Sequence, residues 1–154
     1  CQPGNAASTP DQVGAVYSFS PGGSVEAGST ITLSVYNSEI PLDPPAAPTL
    51  PATVTAGGTA QVNWTAYSCP SGLGSVSSYN LTATRGTFSN GQSTAAFDPN
   101  TRSAQISVAN EPGSNLLVTY TVTCSGTDRQ AGPSGEANAP ISGSTPSPAP
   151  SDEG

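Results

Sequence analysis

The chain has 154 residues, of which only 34% are hydrophobic, and 17 Gly and 16 Pro cut it into short pieces. Its formal net charge is −7, with three Arg and neither Lys nor His. That balance excludes a nucleic-acid footprint and a basic lipid-binding patch, and the sequence holds no run of about 20 apolar residues to cross a bilayer.

Residues 1–12, CQPGNAASTPDQ, show no apolar periodicity and read as irregular. The chain begins at Cys1 without a signal peptide, which sets the expectation of a processed or partial chain. Val13 to Phe19, VGAVYSF, is a run of strand formers. Ser20-Pro-Gly-Gly breaks it, because proline fixes φ and glycine permits positive φ. A second break falls at Gly28-Ser29. Beyond it Ile31, Leu33 and Val35 alternate with Thr30, Thr32 and Ser34, the period of a half-buried strand.

Residues 38–51, SEIPLDPPAAPTLP, hold five prolines and read as a semi-extended linker between domains. From Ala52 the pattern becomes a series of strands. A Gly-Gly turn at 57–58 precedes a strand that shares Ala60, Val62, Trp64 and Ala66 on one face. Further strands present Tyr79, Leu81 and Ala83, then Ala104, Ile106 and Val108, then Val118, Tyr120, Val122 and Cys124. GEANAPI is a weak last strand ending at Pro140. Six or seven short strands with regular turn signals predict an all-β antiparallel sandwich over 52–141. Residues 142–154, SGSTPSPAPSDEG, are Ser/Pro-rich and predict a disordered tail.

Two stretches resemble known families. From Val16 to Val35 the chain reads V-x-x-F-S-P-x-G-x-V-x-x-G-S-x-I-x-L-x-V, which resembles the last part of a PASTA domain. A whole PASTA unit is about twice as long and sets a helix before these strands. The resemblance therefore implies a partial PASTA-like segment over 1–37, whose Ile31, Leu33 and Val35 need a cover. An ordinary hairpin packed on the sandwich is the alternative. The second resemblance is to a fibronectin type III domain. It lies in Pro48 and Pro51 before strand A, Trp64 in strand B, Tyr79 in strand C, and Tyr120 in YTVTCSGTDRQAGPSGEA. In that family such positions build core, and they imply fold and no activity. Trp64 as a carbohydrate platform is the other reading.

The fibronectin-like strand order implies a pairing for two of the three cysteines. Strands B and F run the same way in such a sandwich, so Cys69 in the B–C corner meets Cys124 at the end of strand F. Cys1 is left over, either a lipidated N-terminal cysteine or a PASTA cysteine whose partner lies elsewhere. With no His and no CxxC pair, no zinc site is identified.

The search for chemistry finds no catalytic set and no cofactor motif. Nucleophilic catalysis needs a base beside the nucleophile, and only carboxylates are available. The ten Asp and Glu fall mostly in turns, linker or tail. FDPNTR and NEPGSN offer oxygen ligands for calcium only if the fold joins them. Asn63-Trp-Thr and Asn80-Leu-Thr match glycosylation sequons but lie in strands. Together the two resemblances imply the extracellular, membrane-distal end of an actinobacterial PASTA-type Ser/Thr kinase or penicillin-binding protein. It would be tethered through an upstream part and act as spacer or sensor toward peptidoglycan fragments. A secreted or lipid-anchored adhesion or carbohydrate-binding sandwich is the alternative.

Overall fold

The structure, a computed structural model, describes residues 2–143. Cys1 and residues 144–154 lie outside them, and with them the expectations about Cys1 and most of the tail. Among the described residues the only helical piece is a single 3-10 turn at Pro10–Gln12. In chain order the strands are β1 Gln2–Pro3, β2 Val16–Ser20, β3 Thr32–Val35, β4 Val54–Thr55, β5 Thr59–Asn63 and β6 Val76–Thr84. They continue with β7 Gly86–Thr87, β8 Thr94–Phe97, β9 Ser103–Val108, β10 Asn115–Cys124, β11 Arg129–Ala131 and β12 Ala137–Ser142.

Nine of these strands build the sandwich. One sheet runs β8-β6-β10-β12-β4, with β11 hairpinned onto β10, and the facing sheet runs β5-β9-β7. An antiparallel bridge from Thr49 to Asn63 extends the second sheet at its outer side. Strand pairs β6–β10, β6–β8, β10–β12 and β5–β9 are all antiparallel. This order is that of a fibronectin type III-like or immunoglobulin-like sandwich, as the alternation predicts.

Alternation explains the core. β6 buries Tyr79, Leu81 and Ala83, β9 buries Ile106 and Val108, and β10 buries Leu116, Val118, Tyr120, Val122 and Cys124. Residues between them on each strand point to the other side of the sheet. Trp64 is 5% exposed and sits against the rings of Phe97, Tyr79 and Tyr120 at 5.4, 6.0 and 6.4 Å. It is a core residue, not a platform. Ala66, expected on the same inward face, is exposed because the strand ends at Asn63.

Three boundaries differ from the sequence reading. The proline-rich stretch 38–51 does not hang free between domains. Pro45 and Pro48 are buried, Leu42 and Leu50 pack on the core, and the Tyr67 hydroxyl donates to the Asp43 carbonyl at 2.9 Å. The prolines lack backbone donors but still bury apolar rings, and Thr49 N donates to Asn63 O at 2.8 Å, so the stretch adheres to the sandwich. The last strand passes through Pro140 to Ser142. Ile141 N donates inward to Ser114 O at 2.8 Å, and β4 pairs only Ile141 and Ser142, so the missing donor at Pro140 costs no ladder bond. Strand β8, TAAF, has no counterpart in the sequence reading, because two alanines give little periodic signal.

Residues 2–36 form a separate three-stranded sheet of order β1-β3-β2. The hairpin pairs Phe19 with Leu33 and Val16 with Val35, with a bulge between Val16 and Ser18. β1 adds two residues in parallel to β3.

Candidate functional site

The sandwich pole where β10 ends gathers most of the long-range polar contacts of the N-terminal segment. Cys69 lies beyond β5 in the B–C corner, and its Cα is 6.0 Å from that of Cys124, to which it is disulfide-bonded. The corner is stitched to the turn after β10. Gly126 N donates to Leu73 O at 3.0 Å, and Ser125 N donates to Ser75 O at 2.8 Å. Leu73 is fully buried between them. Gly74 has φ +79°, and a Cβ there would stand 2.6 Å from Gly126 N, so only glycine fits this approach.

The N-terminal segment docks on that platform. Ala7 is fully buried and bridges to Glu39. Ser8 Oγ donates to Gly72 O at 3.3 Å. Arg129, from β11, donates to Ser8 O at 3.3 Å and pairs with Glu39 at 3.0 Å. The Arg129 side chain is only 18% exposed. Sequence reasoning did not single out Arg129, Glu39 or Ser8. One of only three cations was the available signal, but its partners lie 90 and more positions away and meet it only in the fold.

The two faces of the small sheet differ. On one, Tyr17 and Tyr36 stack with centroids 4.8 Å apart, and the Tyr17 hydroxyl accepts from Asn5 N at 3.3 Å. On the other lie Val16, Phe19, Leu33 and Val35, joined by Ile31 through the alternation. Phe19 is 61% exposed, Val16 50% and Ile31 49%. β3 is half-buried along its length, as the alternation predicts, whereas among the described residues nothing covers Val16, Phe19 and Ile31 on this face.

The outer face of the larger sheet is polar and uncharged. A groove of about 440 Å³ is lined there by Asn80, Thr82, Thr94, Thr119 and Thr121, with Pro133 among its other neighbours. Asn80 Nδ2 donates to Thr123 Oγ1 at 3.1 Å and to Ser78 Oγ at 3.3 Å, so this sequon's amide is engaged. Asn63, the other sequon, is exposed.

Among the described residues no arrangement matches a catalytic set. Glu111 pairs with Arg85 at 3.0 Å, and Arg102 stacks over the Tyr79 ring at 4.7 Å. Among the described residues no three His, Cys, Asp or Glu side chains converge on a metal position, and FDPNTR and NEPGSN do not form one. Burial pushes the Tyr120 phenol up, and burial with the Asp43 charge does the same at Tyr67. Trp64, Tyr79, Phe88 and Tyr120 are each at most 5% exposed, so the sandwich offers none of these rings for sugar stacking, and the exposed aromatics are Phe19 and Tyr17 of the N-terminal sheet.

The geometry defines an all-β, fibronectin type III-like module. No family model matches the chain. No curated protein matches it either. Among solved structures, it is similar to the crystal structure of chicken CNTN1 FN1-FN3 domains, at 12% identity and TM-score 0.42. That match covers 74% of this chain and 35% of the chicken chain, so the chain spans about a third of that relative. It is also similar to the solution structure of the third fibronectin III domain of human KIAA0343 protein. There the identity is 19% and the TM-score 0.45, over 84% of this chain and 99% of that one.

Proposed function

We propose that this chain is a non-catalytic extracellular module that holds its small N-terminal sheet outward for binding. The observation that carries this reading is a contrast. The sandwich closes its own core, whereas the sheet of residues 2–36 is anchored at one pole and leaves an apolar face open. The disulfide is compatible with an extracellular setting, where such bonds persist.

The finer reading follows from the PASTA resemblance. Residues 13–36 then meet peptidoglycan fragments, whose sugar faces and peptide stems suit an apolar strip edged by Ser and Thr. The parent is a membrane-anchored bacterial signalling or cell-wall protein, a Ser/Thr kinase or a penicillin-binding protein. The test is a muropeptide titration followed by amide NMR shifts. Shifts confined to residues 13–36 are expected. No shifts at millimolar muropeptide leave the module a spacer and end the sensor reading.

A further inference from the structure

We propose that Asn90 is a self-modification site, and that the fold gates its conversion to aspartate and isoaspartate. The reaction needs no partner and is independent of any peptidoglycan ligand.

The sequence selects the position. Of the nine asparagines, Asn90 alone precedes a glycine. The attacking group is the backbone nitrogen of the following residue, and glycine has no Cβ to screen it. A base from solvent takes the Gly91 N–H proton, and that nitrogen attacks Asn90 Cγ. The Cγ–Nδ2 bond breaks, and the departing nitrogen takes a proton back from solvent and leaves as ammonia. Side chain and backbone then share a succinimide ring. Water opens the ring at one carbonyl or the other, giving aspartate or isoaspartate. Asn90 and Gly91 are both exposed, so base and water reach them.

The fold opposes the attack. In the connection between β7 and β8, Gly91 N donates to Phe88 O at 2.9 Å, which engages the attacking nitrogen. Asn90 Oδ1 accepts from Gln92 N at 2.9 Å, and Asn90 Nδ2 donates to Thr94 O at 3.0 Å. The carboxamide is therefore held at both ends, its leaving nitrogen included. Phe88 N donates to Gln92 O at 2.9 Å and closes the loop. The Phe88 ring, buried edge-on against Phe97 at 5.8 Å, ties the loop to the core. Each hydrogen bond shifts an opening equilibrium by roughly two- to tenfold, so the three at Asn90 and Gly91 slow the reaction on the order of a hundredfold.

Conversion changes the surface. A carboxylate has no donor for Thr94 O, and it brings charge to the uncharged groove that Asn90 lines with Asn80 and Thr82. Isoaspartate also lengthens the main chain inside the loop that Phe88 and Gln92 close. A transient opening is thereby recorded as a permanent charge and an altered loop.

The full chain is incubated in mildly alkaline buffer, native and in urea with the disulfide intact. Peptide mass spectrometry then separates amide, aspartate and isoaspartate forms. In urea, Asn90 is expected to convert first of the nine. In the native protein it should convert on the order of a hundredfold more slowly. Protection of the Gly91 amide against hydrogen exchange should match that factor, because both report the same opening. No conversion at Asn90 in urea, or faster conversion at Asn37 before Ser38, overturns the site. A native rate within about threefold of the urea rate overturns the gate.

Discussion

Reducing the Cys69–Cys124 bond, with no change of side chain, isolates what the cross-link contributes. The bond closes a loop of 55 residues. In the chain-entropy model such a loop removes about 4 kcal/mol of unfolded-state freedom at 25 °C. That is a large share of the roughly 5–15 kcal/mol by which domains are stable. A sandwich of roughly 100 residues unfolds with about 0.2 kcal/mol/K of entropy, so the melting temperature should fall by about 20 °C. Urea unfolding of the oxidised and phosphine-reduced protein measures this, with Trp64 as the single tryptophan reporter, 5% exposed in the fold. Reduction should also raise the m-value, because the uncross-linked chain exposes more surface when unfolded. A midpoint change worth less than about 1 kcal/mol would refute the loop-closure reasoning. A free-thiol count on unfolded, unreduced protein should give one, and a count of three would remove the bond itself.

Three further outcomes are expected. Ser134 is buried, its Oγ accepts from Tyr120 N at 3.0 Å and donates to Gly135 O at 2.8 Å. Ser134→Ala strands that amide and should cost about 1–3 kcal/mol, read as a lower urea midpoint at constant m-value. Arg129→Ala should cost about 1 kcal/mol or less globally. It should nonetheless speed hydrogen exchange at Ala7 and Ile40, whose amides join the docked segment. Unchanged exchange there would show that Arg129 does not hold it. Tyr67 and Tyr120 have phenols raised above the ordinary 10.0, chiefly by burial. The unfolded chain therefore loses these protons first. Their contribution is whole below pH 10 and is lost as pH climbs through the raised values. Ultraviolet titration should show Tyr67 and Tyr120 ionising above the ordinary phenol range, together with unfolding.

Much of the sandwich was legible because its strands are buried on one face and wet on the other. The triplets Tyr79, Leu81, Ala83 and Ala104, Ile106, Val108 carry a period of two that no helix shares. β8 was not legible, since Thr94, Ala95 and Ala96 differ too little in polarity to mark a face. Phe88 and Leu73 are buried from loops, where no periodicity exists to announce them. The adhesion of residues 38–51 depends on a partner surface that sequence does not display. The candidate surface was half legible. Alternation marked Ile31, Leu33 and Val35 as needing cover, but it took the β2–β3 register to add Val16 and Phe19 to the same strip.

The disulfide also decides how the module answers to tension. The chain enters the sandwich at Thr49, beside Asn63 and the disulfide pole, while β12 leaves beside Thr55 toward the far end. A pull on the two ends loads β4 against β12 along their length, since these strands are parallel. If they yield, the 55 residues between the cysteines stay looped and do not lengthen. At roughly 3.5 Å per residue that withholds about 190 Å of slack. Under load, extension of the sandwich would then be confined to residues 49–68 and 125–142, outside the cross-linked loop.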